Sequence, residues 1–107
     1  MTDTTLDAIL SELRRRLEDI YGPRLERVLL YGSQARGDAE PGSDIDVMIV
    51  LAGSVSPGEE IARVGTITAE ISLDHEVVIS CIFVSDDRYA SDRSPLLLNV
   101  RREGVAI

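Results

Sequence analysis

The run DIDVMIVL, Asp44 to Leu51, limits the fold more than any other feature of this chain. Beyond Asp46 it is apolar at every position, so a strand formed there is greasy on both faces. Such a strand needs cover on each side, which places it centrally in a sheet flanked by helices. Yet the run opens with two carboxylates. Residues two apart on a strand point the same way, so Asp44 and Asp46 project together, with Cα atoms about 6.5 Å apart. Two bare carboxylates about 4 Å apart repel by roughly 4 kcal/mol at an effective dielectric of 20. A domain whose total stability is about 5–15 kcal/mol feels that repulsion. Lys is absent from the sequence, and Arg36 is the one cationic side chain close by. A divalent cation is therefore the simplest neutraliser. Oxygen-only ligands favour Mg²⁺, with Mn²⁺ as substitute, over Zn²⁺.

Upstream, RLERVLLY (Arg24 to Tyr31) reads as a second strand, and Gly32-Ser33 follows it directly. Gly32 permits a tight turn. Ser33 then opens a loop or short helix, where backbone N–H groups and its hydroxyl can hold phosphate oxygens. Arg36 is placed to add a cationic contact or to pair with Asp38. Together these residues suggest a phosphate cradle facing a metal site, since Mg²⁺ usually completes its shell with water and substrate phosphates. HEVVISCIFV, His75 to Val84, reads as a third strand. Glu76 at its start is the expected third carboxylate if this strand neighbours the DID strand. Asp74, two residues earlier, is its competitor.

The remaining segments are helical. Leu6, Ile9, Leu10, Leu13, Leu17 and Ile20 recur at helical spacing between Thr5 and Ile20, with Thr4 or Thr5 as cap. Ile61, Val64, Ile67 and Ile71 repeat the pattern between Glu59 and Leu73. Asp86 to Asp92 suggests a short helical turn. In SPLLLNVRRE, Ser94 caps, Pro95 takes the first helical position and Gly104 follows the end. Leu96, Leu97 and Leu98 in a row exceed what one helix face can bury. The expected fold class is α/β (α+β): one domain over residues 1–107, with a mixed three- to four-stranded sheet and flanking helices.

Composition narrows the function. A net charge of -8 argues against an unaided grip on nucleic-acid backbone. The single cysteine, Cys81, excludes an intrachain disulfide and fits a reducing cytoplasm. Its expected place is a buried apolar one. The N-terminus has no signal-peptide pattern, and no apolar run reaches the roughly 18–20 residues of a bilayer span.

GS, ten residues, then DID between two apolar strands resembles the nucleotidyltransferase fold of the DNA polymerase β superfamily. The string GSQARGDAEPGSDIDVMIV is similar to its minimal, stand-alone members, often encoded beside a helical HEPN-domain protein. The resemblance spans about Arg24 to Val84. It implies two Mg²⁺ ions and transfer of a nucleoside monophosphate from an NTP, ATP first among them, to an acceptor hydroxyl with release of pyrophosphate. By motif match, Gly32 and Ser33 take the triphosphate and Asp44 and Asp46 the metal. The third acid, usually Asp in the family, maps onto Glu76, a departure one methylene longer. A chain this small supplies little acceptor pocket, so the acceptor is expected on a second copy or on another chain. The rival expectation is an antitoxin-like subunit that neutralises a helical HEPN-type toxin by contact, without catalysis.

Overall fold

The computed structural model describes residues 3–40 and 42–107, with the side chains of Asp3 and Thr4 left aside. Its elements run α1 (Asp3–Tyr21), a 3-10 turn (Gly22–Arg24), β1 (Leu25–Tyr31), α2 (Ser33–Arg36), β2 (Ile45–Leu51), α3 (Pro57–His75), β3 (Ile79–Ser85), α4 (Asp86–Ser91), α5 (Pro95–Glu103) and β4 (Val105–Ala106). The sheet order is β3-β2-β1-β4. β2 runs antiparallel to β1 and parallel to β3, so the sheet is mixed as expected. The sequence does not foretell β4, because two residues carry no periodicity; Val105 and Ala106 pair with Leu30 and Leu29.

β2 is the spine. Six of its seven residues are buried, Asp46 alone being half-exposed. Ile45, Val47, Ile49 and Leu51 point to one face, where Leu13 and Leu17 of α1 and Val64 and Ile71 of α3 cover them. Met48 and Val50 point to the other face, under Leu97 and Val100 of α5. Each fully buried side chain of this size contributes about 1.5–3 kcal/mol, so this double cover stabilises the centre of the sheet most. The second cluster is the smaller. It covers the strands around Met48, Val50 and Val84 but leaves Tyr31, Asp46 and Ser80 half-exposed at the other end of the same face.

Caps and helix ends follow local chemistry. Ser94 accepts from Leu97 N, with Pro95 opening α5 as the sequence suggests, and Ser85 caps α4 by accepting from Arg88 N. α1 has already begun at Asp3, so Thr5 lies inside its first turn; the side chain of Thr4 falls outside the described residues. Of the three consecutive leucines, Leu97 is buried, Leu96 packs beside it and Leu98 is 45% exposed. Arg101 donates to the carbonyls of Tyr89 and Asp92, tying α5 back to α4.

One buried charge is offset by a network. Glu60 is 3% exposed and accepts from the Tyr21 hydroxyl at 2.8 Å, with Arg63 at 3.3 Å and Arg24 at 3.7 Å. Removing one partner of such a set costs about 3–5 kcal/mol. The network lies near the Leu51 end of the sheet, away from Asp44 and Asp46. Cys81 packs on the α1–α3 face, and burial pushes its thiol up to about 12. Iodoacetamide at pH 8 should therefore alkylate the native protein far more slowly than the urea-unfolded chain, as mass spectrometry would read. Equal rates would place the thiol outside the packed face.

Candidate active site

The site begins where β1 ends. Gly32 takes φ +75° and ψ −155°, a conformation essentially restricted to glycine. A second requirement acts there: a Cβ on Gly32 would lie 2.6 Å from Asp46 Oδ2. Missing bulk at Gly32 is thus the space that the Asp46 carboxylate uses. Beyond the turn, Ala35 N and Arg36 N both donate to Gly32 O at 3.1 Å, closing the single turn of α2. The N–H groups of Ser33 and Gln34 precede the first intrahelical bonds, as at any helix start, and so remain donors for an anion. Ser33 is the first residue of α2, directly after the Gly32 turn.

Asp44 and Asp46 meet as their spacing implies. Asp46 pairs across the sheet with Tyr31 on one side and Ser80 on the other. Asp44 lies one residue before β2 and is exposed. Ser80 Oγ reaches Asp44 Oδ2 at 3.5 Å, so the serine beside Asp46 also touches Asp44. Burial raises the Asp46 carboxyl above the usual range, and the charge of Asp44 raises it further. Burial, then Asp46, raises the Tyr31 hydroxyl. The two acids therefore share one face and feel each other.

Glu76 needs correction. α3 runs through His75, and Glu76 caps it in a left-handed conformation, φ 53° and ψ 47°. β3 starts only at Ile79. Glu76 lines a cleft of about 480 Å³ with Gln34, Ser43 and His75, and neither Asp44 nor Asp46 is part of that lining. Asp74 is likewise helical and exposed. Among the described residues, no group of three or more His, Cys, Asp or Glu could hold a metal ion. The residue that β3 does bring to Asp46 is Ser80, which the sequence reading passed over. Its signal is there in VISCIFV: Ser80 is the one hydroxyl inside an apolar strand. Arg36, at the end of α2, pairs with Asp38 at 3.1 Å and with Glu103 of α5 at 3.6 Å.

Two carboxylates on one face, with like charge uncompensated by any ion pair among the described residues, fit a hard divalent cation. Mg²⁺ is commonly held by only one or two protein carboxylates plus substrate phosphates.

Residues 10–89 match the family model described as a nucleotidyltransferase domain. A protein of Methanocaldococcus jannaschii named "putative protein adenylyltransferase" is 35% identical over 74 residues, 69% of this chain and 74% of that one. Among solved structures, a toxin–antitoxin crystallised with AMP-PNP aligns with TM-score 0.61 at 20% identity, covering 88% of this chain and 68% of that one. A "putative nucleotidyltransferase" from Sulfolobus solfataricus aligns with TM-score 0.55 at 19% identity, covering 99% and 87%. At these identities the two structures speak for the fold.

Proposed function

This chain belongs to the nucleotidyltransferase domain family and is a nucleotidyltransferase enzyme; from that premise we propose that it moves the adenylyl group of ATP onto a hydroxyl of a protein acceptor. The observation that carries the proposal is the joining of Gly32, Asp44 and Asp46 at one sheet end, with the start of α2 alongside. The relative's name supports adenylyl as the group and protein as the acceptor. So does the openness of the site: Asp44 is exposed, so a side chain on a large partner can approach it.

In the proposed reaction, the acceptor oxygen forms a bond to the α-phosphorus, and the bond from that phosphorus to the pyrophosphate breaks. The acceptor proton passes to the Asp46 carboxylate, and pyrophosphate departs with the bond pair. A divalent cation bound by Asp44 and Asp46, Mg²⁺ or Mn²⁺, would neutralise triphosphate charge and ease deprotonation of the acceptor. Ser33 and the N–H groups of Ser33 and Gln34 hold phosphate oxygens. Arg36 joins them by exchanging Glu103 for a phosphate. Asp46 is kept in one orientation by its fit against Gly32. Most of the rate then comes from positioning and fixed charge. Glu76 is left the lesser part of lining its cleft.

The toxin–antitoxin neighbour favours a second reading, in which a helical partner protein binds this chain. One experiment tests both. Labelled ATP, Mg²⁺ and candidate partner proteins are incubated with wild type and with Asp44→Asn. Label should pass to the partner with wild type and be lost with the variant. Equal labelling by both proteins, or none by either with any of the four NTPs, removes the enzymatic proposal. A partner neutralised equally by both supports contact without catalysis.

A further inference from the structure

We infer that Ser80 sets how strongly the Asp44–Asp46 site holds a divalent cation, keeping it weak until a triphosphate arrives. This rests on the function proposed above and concerns the same site. The parallel register places Ser80 directly beside Asp46. Alternation along β3 settles which way it points: Ile79 and Cys81 pack on the α1–α3 face, whereas Ile82 and Val84 pack under α5. Ser80 therefore shares the face of Asp46, and its hydroxyl reaches Asp44 Oδ2 at 3.5 Å. It is half-exposed and borders both acids, at the spot from which a neighbouring strand can contribute to an ion they hold.

What Ser80 contributes is a neutral hydroxyl. It orients Asp44 and adds no charge. The described residues hold no other acid close enough to make a third ligand, Glu76 included. Two carboxylates give an ion few ligands and little charge, and affinity for hard cations follows both. The remaining oxygens must come from water or from the phosphates of the nucleotide. Cation and nucleotide should thus bind together, each raising the affinity for the other by the same factor. Ser80 is a positioning residue here, acting through Asp44 and through the charge it withholds.

Mn²⁺ titration by calorimetry tests this on the full chain, with and without a non-hydrolysable ATP analogue. Ser80→Asp should tighten Mn²⁺ binding about tenfold without nucleotide and shrink the nucleotide's further effect. Ser80→Asn, which adds an oxygen without charge, keeps the test open if the aspartate variant folds poorly; with no added charge it should tighten binding by less than about threefold. Unchanged or weaker Mn²⁺ binding in folded Ser80→Asp overturns the inference, as does threefold or greater tightening in Ser80→Asn. The outcomes separate from those of the proposed function. Tighter Mn²⁺ binding in Ser80→Asp with no adenylyl transfer by wild type leaves Ser80's role standing and removes the enzyme. Transfer by wild type with Mn²⁺ affinity unmoved in Ser80→Asp does the reverse.

Discussion

Asp46→Asn should change activity and stability in opposite directions. Adenylyl transfer should fall by about a thousandfold, because the substitution removes a charge that would hold the cation and take the acceptor's proton. The metal-free fold should at the same time gain roughly 1 kcal/mol at neutral pH, since one member of a like-charged pair becomes neutral in a half-solvated site. Burial and Asp44 hold the Asp46 carboxyl above its ordinary value of 3.8. A group with a raised folded pKa favours folding only while protonated. Its contribution is whole below the unfolded value and is lost as pH rises through the folded one. Wild type in chelator should therefore lose ground to Asp46→Asn as pH climbs from about 4 towards neutral. Thermal melts at a series of pH values read this directly, with about 4–8 °C expected per kcal/mol in a domain of this size. A variant that melts below wild type at pH 7 in chelator would mean that the carboxylate stabilises the fold and the repulsion is unimportant. Added Mn²⁺ should stabilise wild type and leave the variant unmoved.

For Gly32→Ala both effects point downward. An L-residue at φ +75° and ψ −155° is strained by about 1–3 kcal/mol, and the new Cβ would stand 2.6 Å from Asp46 Oδ2. Either the turn opens or Asp46 swings away. The expected loss is about 2–3 kcal/mol of stability, or roughly 10–20 °C in the melting temperature, with activity reduced at least about a hundredfold. Strain alone would lower stability and spare the site. The contact with Asp46 makes the stronger demand that Mn²⁺ affinity also fall, because the substitution displaces a cation ligand. Calorimetry at a temperature where the variant is folded separates the two. Wild-type Mn²⁺ affinity in folded Gly32→Ala would show that Asp46 does not depend on the empty space at Gly32.

How much of this was legible in the residues differs from one part of the site to the next. DIDVMIVL announced a doubly covered central strand with two acids on one face, because a period of two and an unbroken apolar run leave little alternative. Gly32-Ser33 announced the turn and the short helix. Glu76 was misplaced for an identifiable reason. Left-handed helix ends are usually marked by glycine, and here a glutamate takes that conformation, so α3 ends without its common signal. β3 then starts at Ile79, four residues later than its apolar pattern suggests. With the strand starting later, Glu76 lies at the helix end, and Ser80 is the residue that β3 sets beside Asp46. The pairing of Arg36 with Asp38 follows from residues two apart in the sequence; its contact with Glu103 depends on how α5 packs, which no local pattern encodes.

By itself, then, the sequence determined the longer helices, the three main strands, the central place of β2 and the shared direction of Asp44 and Asp46, since each follows from short-range periodicity and the need to bury apolar side chains. Tertiary structure alone decided the neighbours: Ser80 beside Asp46, Tyr31 across from it, and the carboxylate lodged against Gly32. Those contacts join segments far apart in the chain, and their register is fixed by how whole faces pack. A shift of one residue in β3 would turn Ser80 to the opposite face, and nothing within a few residues of it records which alignment wins.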